Sequence, residues 1–348
     1  MKIRKEIQIK SDNGEIKPAI APLIISASRS TDIPAFHSEW LINRLKRGYV
    51  SWINPFNPTK QQYISFQEAR LIVFWTKNPK PIMQHLSYLD KFGLNYYFQY
   101  TLNNYEKEGF EPNVPPLAER VETFIKLSEL IGKEKVIWRF DPLLLTEQLT
   151  ICELIKRIMD IGNQLVSHTN KLVFSFADIL SYQKVQHNLI KETTFYNKSN
   201  ISVAEFTTAQ KNEFAKGIHK IVKEWKKINP DFKIASCAED IDLEKYEITH
   251  NKCIDNELIE KLFPTDIKLM ELLGVQKQIL FGEKVQTKNT NLKDKGQRKA
   301  CGCIISKDIG SYNTCNHLCV YCYANTSPTV VKKNFQALGL DSESILPH

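Results

Sequence analysis

The chain has 348 residues, 42% hydrophobic and 25% charged, with a formal charge of +8. This length allows one large α/β domain or two modest ones, and this composition excludes disordered and collagen-like chains. No run reaches about 18 uncharged apolar residues, and the opening residues lack a secretion signal's apolar stretch, so a cytoplasmic protein with no membrane partner is expected.

Short β-branched and aromatic runs alternate with longer helical patterns, the signature of a parallel sheet or barrel. Leu23 to Ala27 reads as a strand and Ser38 to Arg47 as a helix. Tyr49 to Phe66, with Asn54-Pro55-Phe56-Asn57-Pro58 in its middle, reads as two strands joined by a proline-stiffened turn. Strands over Leu71 to Thr76, Tyr96 to Thr101, Val136 to Phe140, Leu172 to Ala177 and Ile234 to Cys237 then alternate with helices over 79–92, 117–131, 150–167 and 204–228. In the second of these helices Leu117, Val121, Phe124 and Ile131 recur at helical spacing, between Pro115-Pro116 and Gly132. A helix over 255–263 and a strand over Ile304 to Ser306 complete the series. The expected fold is α/β, a partial or complete TIM-like β/α barrel. Its body spans 1–280, a basic linker 281–300, and a cysteine-rich segment 301–348 completes it.

In such folds chemistry gathers at the C-terminal ends of the strands. The residues there are Ser26 to Asp32, Trp75 to Asn78, Gln99 to Thr101, Arg139 to Asp141, Phe176 to Asp178 and Cys237 to Asp240. Singly they read as caps and solvated loop positions, but together they read as a lined substrate pocket. Arg29, Lys77 and Arg139 suit a carboxylate or phosphate, Asp32, Asp141, Asp178 and Glu239 suit amines or hydroxyls, and Trp75 and Gln99 complete the lining. Lys284 to Lys299 is basic and polar and reads as a solvated linker; a nucleic-acid contact is the lesser reading, because no aromatic residues interleave the charges.

Eight cysteines in a reducing compartment argue for metal rather than disulfides. Cys152 stands alone in a helical pattern, and the others lie in the last third. Cys315-Asn316-His317-Leu318-Cys319-Val320-Tyr321-Cys322 has the spacing C-x3-C-x2-C. Three thiolates on one loop suit three irons of a [4Fe–4S] cluster with the fourth left open, whereas structural zinc sites favour paired C-x2-C units.

This spacing, with an aromatic residue before the last cysteine, resembles the signature of the radical S-adenosylmethionine superfamily. The resemblance implies that Cys315, Cys319 and Cys322 ligate the cluster and that Tyr321 lies beside the adenine. It also implies that the open iron chelates the methionine end of S-adenosylmethionine, that an electron donor is a partner, and that a 5′-deoxyadenosyl radical attacks an unidentified substrate. In that superfamily the motif follows the first barrel strand, so here the resemblance implies a circular permutation. Ile304 to Ser306 would be the first strand, Cys315 to Tyr323 the cluster loop and Thr329 to Leu338 the first helix, with Leu23 to Ala27 the next strand in space. Ser26, Ser28, Arg29 and Asp32 would then replace the glycine-rich segment that contacts the methionine amine.

Thr76-Lys77-Asn78-Pro79, Glu111-Pro112-Asn113-Val114-Pro115 before Glu119-Arg120, and Arg139-Phe140-Asp141-Pro142 are similar in order to the spore photoproduct lyase group. Over nearly its full length, from Ser26-Ala27-Ser28-Arg29 to Tyr312-Asn313-Thr314-Cys315, the chain resembles a bacterial family known as domain of unknown function 1848, which supplies no activity.

Cys237, Cys253, Cys301 and Cys303 read either as a second metal site, cluster or zinc, or as independent thiols. His250 and His317 read as loop residues rather than ligands. Two other functions remain open at this point: a non-radical zinc or iron–sulfur protein whose rim binds a nucleic acid or metabolite, and a hydrolase or lyase working through the rim carboxylates.

Overall fold

A computed structural model describes residues 5–55, 57–275 and 292–346. Lys5–Lys10 (β1) and Ile16–Ala21 (β2) pair antiparallel. Sequence patterning misses this hairpin because β1 buries no residue and both strands carry lysines. Ile24–Ala27 (β3) follows, and then Tyr49–Asn54 (β4) and Asn57–Ser65 (β5) pair antiparallel about the proline turn; Phe56 lies outside the described residues. These strands, without β3, make a four-stranded sheet in the order β1-β2-β5-β4.

The second sheet adds Leu71–Thr76 (β6), Asn95–Thr101 (β7), Val136–Leu143 (β8), Lys171–Phe176 (β9), Lys233–Ser236 (β10), Ile248–His250 (β11) and Lys307–Asp308 (β12). Its order is β11-β10-β9-β8-β7-β6-β3-β12, and every neighbouring pair is parallel. Read from β3 to β11 the order follows the chain, and only C-terminal β12 joins at the head, beside β3.

Both faces of this sheet are covered, so its strands read as continuous apolar runs rather than alternating ones. On β6, Ile72 and Phe74 pack into a core under the outer helices, while Leu71 and Val73 join a second core with Phe263, Leu269, Met270 and Ile304. Among the described residues the ladder ends at β11 and β12 without joining, so the sheet is open rather than a closed barrel. Its second face is covered by Asn256–Leu262, Ile267–Leu273 and the 301–304 segment.

The helices at Ser38–Arg47 and Leu117–Ile131 match their patterns. The expected helix over 79–92 divides into Lys80–Met83 and Leu86–Lys91. That over 204–228 starts later, at Thr208–Ile228, because Thr207 and Gln210 form a capping box there. The last strand also shifts: Ile304 makes only an isolated bridge to Lys293, and Lys307–Asp308 pairs with β3 instead. Of the expected linker, residues 281–291 lie outside the described residues. Its far end is largely exposed but anchored at two points, since Leu292 is buried and Arg298 holds Asp178 at 3.0 Å and the Tyr182 hydroxyl at 2.9 Å. No helix among the described residues is long and apolar enough to cross a membrane.

Candidate functional site

The C-terminal ends of the parallel strands open onto one cavity of about 730 Å³, within the range of roughly 300–1,000 Å³ typical of small-molecule sites. Ser28, Arg29, Trp75, Lys77, Arg139, Asp141 and Asp178 line it, as expected of rim residues. Cys315, Cys319, Cys322 and Tyr321 line it as well, and so do Cys237, Cys253, Cys301 and Cys303. Ser26, Gln99 and Glu239 do not face it. Ser26 is buried against the Ser306 hydroxyl at 2.7 Å, and Gln99 lies beneath, donating to Cys253 O at 3.0 Å. Glu239 accepts from Phe176 N at 2.9 Å and Lys211 Nζ at 3.2 Å, and burial raises its carboxyl.

The three-cysteine loop is held from below by the segment after β7. Val320 N donates to Phe110 O at 3.0 Å, Asn113 N to His317 O at 3.2 Å, and Asn113 Nδ2 to Asn316 O at 2.8 Å. Leu318 takes a left-handed φ of 56°, a conformation unfavourable for a branched side chain, and it turns the loop between Cys315 and Cys319. Cys319 is buried, with Cys315 and Cys322 half-buried at the cavity wall. As free thiols all three are pushed up by burial, Cys315 to about 12, while Lys77 pulls Cys319 the other way. These are apolar surroundings in which thiolates need a cation to persist.

Lys77 belongs to a buried network that the list of rim residues only half captured. Lys77 Nζ donates to Glu111 Oε1 at 2.7 Å and to the Tyr321 hydroxyl at 3.0 Å. The Tyr321 hydroxyl also donates to Glu111, and Asn103 Nδ2 reaches the same carboxylate at 2.9 Å. Burial alone would raise the Glu111 carboxyl, but Lys77 and Arg120 hold it down at about 2. Glu111 thus enters the site only through folding; its signal in the sequence was its place in the Glu111-Pro112-Asn113 segment.

His317 is more than a loop residue. It is buried, and its Nε2 lies 2.8 Å from Asp32 Oδ2, which also accepts from Lys77 N at 2.7 Å. Asp32 Oδ1 accepts from Ala35 N at 2.9 Å as the cap of Ile33–Phe36. Asp32 therefore ties together the loop after β3, the end of β6 and the cysteine loop, with its two oxygens already engaged.

The loop after β3 does lie beside the cysteine loop. Arg29 N donates to Asp308 Oδ2 at 2.9 Å and Arg29 O accepts from the Tyr323 hydroxyl at 2.9 Å. Arg29 stacks its guanidinium over Trp75, 4.8 Å from the ring centroid, and its Nη2 is buried without a regular hydrogen-bond partner among the described residues. This close approach depends on Gly310, where a Cβ would stand 1.9 Å from Ser28 Oγ and 2.5 Å from Ser28 Cβ. Gly310→Ala should therefore push the two loops apart and cost about 1–3 kcal/mol of stability, measured as a lowered urea midpoint.

On the far wall Arg139 bonds Asp141, which also accepts from Ser175, and donates from Nη1 to Cys253 Sγ at 3.1 Å. Burial would lower the Arg139 pKa, but Cys253, Asp141 and Cys237 together carry it well up, so the side chain is a permanent cation. The cavity thus places two cysteine groups, four cations (Arg29, Lys77, Arg139 and Arg298) and four carboxylates (Asp32, Asp141, Asp178 and Asp308) around one space. Three thiols at Cys315, Cys319 and Cys322, with Lys77 behind Cys319, have the donor chemistry for an iron–sulfur cluster. Among the described residues no group of three or more His, Cys, Asp or Glu side chains is arranged so as to hold a metal ion as it stands.

No curated protein matches the chain. Residues 24–324, which carry the parallel sheet, the cavity and both cysteine groups, match one family throughout, and the chain belongs to that family, Domain of unknown function (DUF1848).

Proposed function

We propose that this protein is a radical S-adenosylmethionine-type enzyme, built on a partial, circularly permuted β/α barrel. In this reading Cys315, Cys319 and Cys322 hold a [4Fe–4S] cluster. The observation that carries it is the pairing of β12 beside β3, which sets the C-x3-C-x2-C loop at the strand-end cavity next to the Ser26–Asp32 loop. Transferring β12, its loop and the helix Pro328–Ala337 ahead of β3 would make the strand order follow the chain from end to end.

When bound, the cluster would supply an electron for reductive cleavage of the sulfonium and so a 5′-deoxyadenosyl radical. The chain's own residues do the rest. Lys77 offsets the negative charge gathered at Cys319, and Glu111 keeps Lys77 charged and fixed. The Tyr321 hydroxyl is committed to Glu111 and Lys77, which leaves only the ring to contact a base. Of the four residues expected at the methionine end, Ser26 is held by Ser306, Asp32 by His317 and Ser28 by Ser30. The Arg29 guanidinium, which lines the cavity with Nη2 unbonded among the described residues, is left to receive it. Arg139, Asp141 and Asp178 form the opposite wall, where a polar substrate would be oriented.

The test is anaerobic purification followed by reduction in the presence of S-adenosylmethionine. Brown protein that releases 5′-deoxyadenosine is the expected result. Colourless protein that neither takes up iron and sulfide nor forms the nucleoside would sink the reading.

A further inference from the structure

Away from the three-cysteine loop, four thiols from three separated stretches meet at one place. Cys237 follows β10, Cys253 follows β11, and Cys301 and Cys303 lie ahead of β12. Cys237 Sγ stands 3.5 Å from Cys253 Sγ. Cys303 Sγ is tied to the backbone of Cys253 at 3.2 Å, and Cys301 lies two residues away on the same cavity wall, so the four thiols gather in one region. Gly302 permits this: a Cβ there would stand 3.0 Å from Lys252 Cγ, so its absence lets the 301–303 turn press against the 251–253 turn.

Hydrogen-bond donors converge on two of the four sulfurs. Cys253 Sγ accepts from Arg139 Nη1 at 3.1 Å and Asn251 Nδ2 at 3.3 Å. Cys303 Sγ accepts from the backbone N–H groups of Cys253 at 3.2 Å and Ile254 at 3.5 Å. Arg29 lines the same cavity as Cys303. A neutral thiol is a poor acceptor, and this many donors on sulfur is the outer shell of a metal-bound thiolate.

Spacing points to one ion. Zinc–sulfur bonds near 2.3 Å in a tetrahedron put sulfurs about 3.8 Å apart, close to the 3.5 Å between Cys237 and Cys253. A cubane instead spreads its thiolates over different irons. Among the described residues the four thiols are not already closed on one point, so metal binding would draw Cys301 and Cys303 in towards Cys237 and Cys253. Four thiolates leave no open position, which is the pattern of a structural rather than a catalytic zinc.

We propose that Cys237, Cys253, Cys301 and Cys303 hold a single zinc ion. It clamps the segment carrying β12 and the cysteine loop onto the ends of β10 and β11, and on binding it releases the thiol protons to solvent. Arg29 and Arg139 offset the net negative charge of the tetrathiolate.

The experiment uses the full chain with Cys315, Cys319 and Cys322 all changed to alanine, so that its metal content reports on this site whether or not the radical reading holds. About one zinc per chain, without sulfide, is expected, falling at least tenfold on adding Cys253→Ser. In case that variant misfolds, the chelator-stripped triple variant is titrated with Co²⁺. Intense thiolate-to-cobalt absorption saturating near one equivalent is expected, and metal binding should slow proteolysis within 292–346. Iron with sulfide in place of zinc would overturn the single-ion assignment. Absence of both metal and the cobalt band would overturn the site.

Discussion

Cys319→Ala is expected to yield protein that lacks the broad visible absorbance of an iron–sulfur cluster and forms no 5′-deoxyadenosine, a loss of at least a hundredfold. Of the three loop cysteines, Cys319 is the most deeply buried and the one that Lys77 acts on directly. Its removal deletes a ligand that no neighbouring side chain can replace, because His317 is already bound to Asp32 and the Tyr321 hydroxyl to Glu111. Cys152→Ala is the control: that thiol is exposed on the outer helix Ile151–Leu165 and should leave colour and product unchanged. Product formation by the Cys319 variant at the wild-type rate would refute the ligand assignment.

Glu111→Gln should lower stability by about 3 kcal/mol, because removing one partner of a buried ion pair leaves the other charge uncompensated. The stranded charge is Lys77, whose ammonium is 2.7 Å from Glu111 in a nearly closed pocket. The sign of the pH effect follows from the depressed carboxyl. The stabilisation is fully present above the ordinary carboxylate value of 4.5 and is lost as pH falls through about 2. Urea denaturation from pH 7 down to pH 3 should therefore show the gap between wild type and variant narrowing with acid. Pairing the variant with Lys77→Met should recover part of the loss, and a double-mutant cycle with no coupling would contradict the network.

Much of the architecture was legible because it is local. Strands buried on both faces must be continuously apolar, so the runs at Leu71, Tyr96, Val136 and Leu172 announced themselves, and the helices at Ser38–Arg47 and Leu117–Ile131 carried both stripe and punctuation. The hairpin of β1 and β2 was not legible, since its strands are largely exposed and rich in lysine. Rim residues were found by rule, yet the rule could not separate Arg29, which faces the cavity, from Ser26, which is turned inward against Ser306.

Taken by itself, the sequence determined the type of most elements, the parallel character of the main sheet and the C-x3-C-x2-C spacing of the cysteine loop, because propensity, periodicity and motif spacing all act over a few residues. Only the tertiary structure decided that this sheet stays open, that β12 joins it beside β3, that Glu111 and Asp32 brace the cysteine loop, and that Cys237, Cys253, Cys301 and Cys303 share one place. Those outcomes rest on contacts between residues far apart in the chain, such as the 2.8 Å bond from His317 to Asp32 across 285 positions. Side-chain burial and loop approach settle such contacts, and no local pattern encodes either.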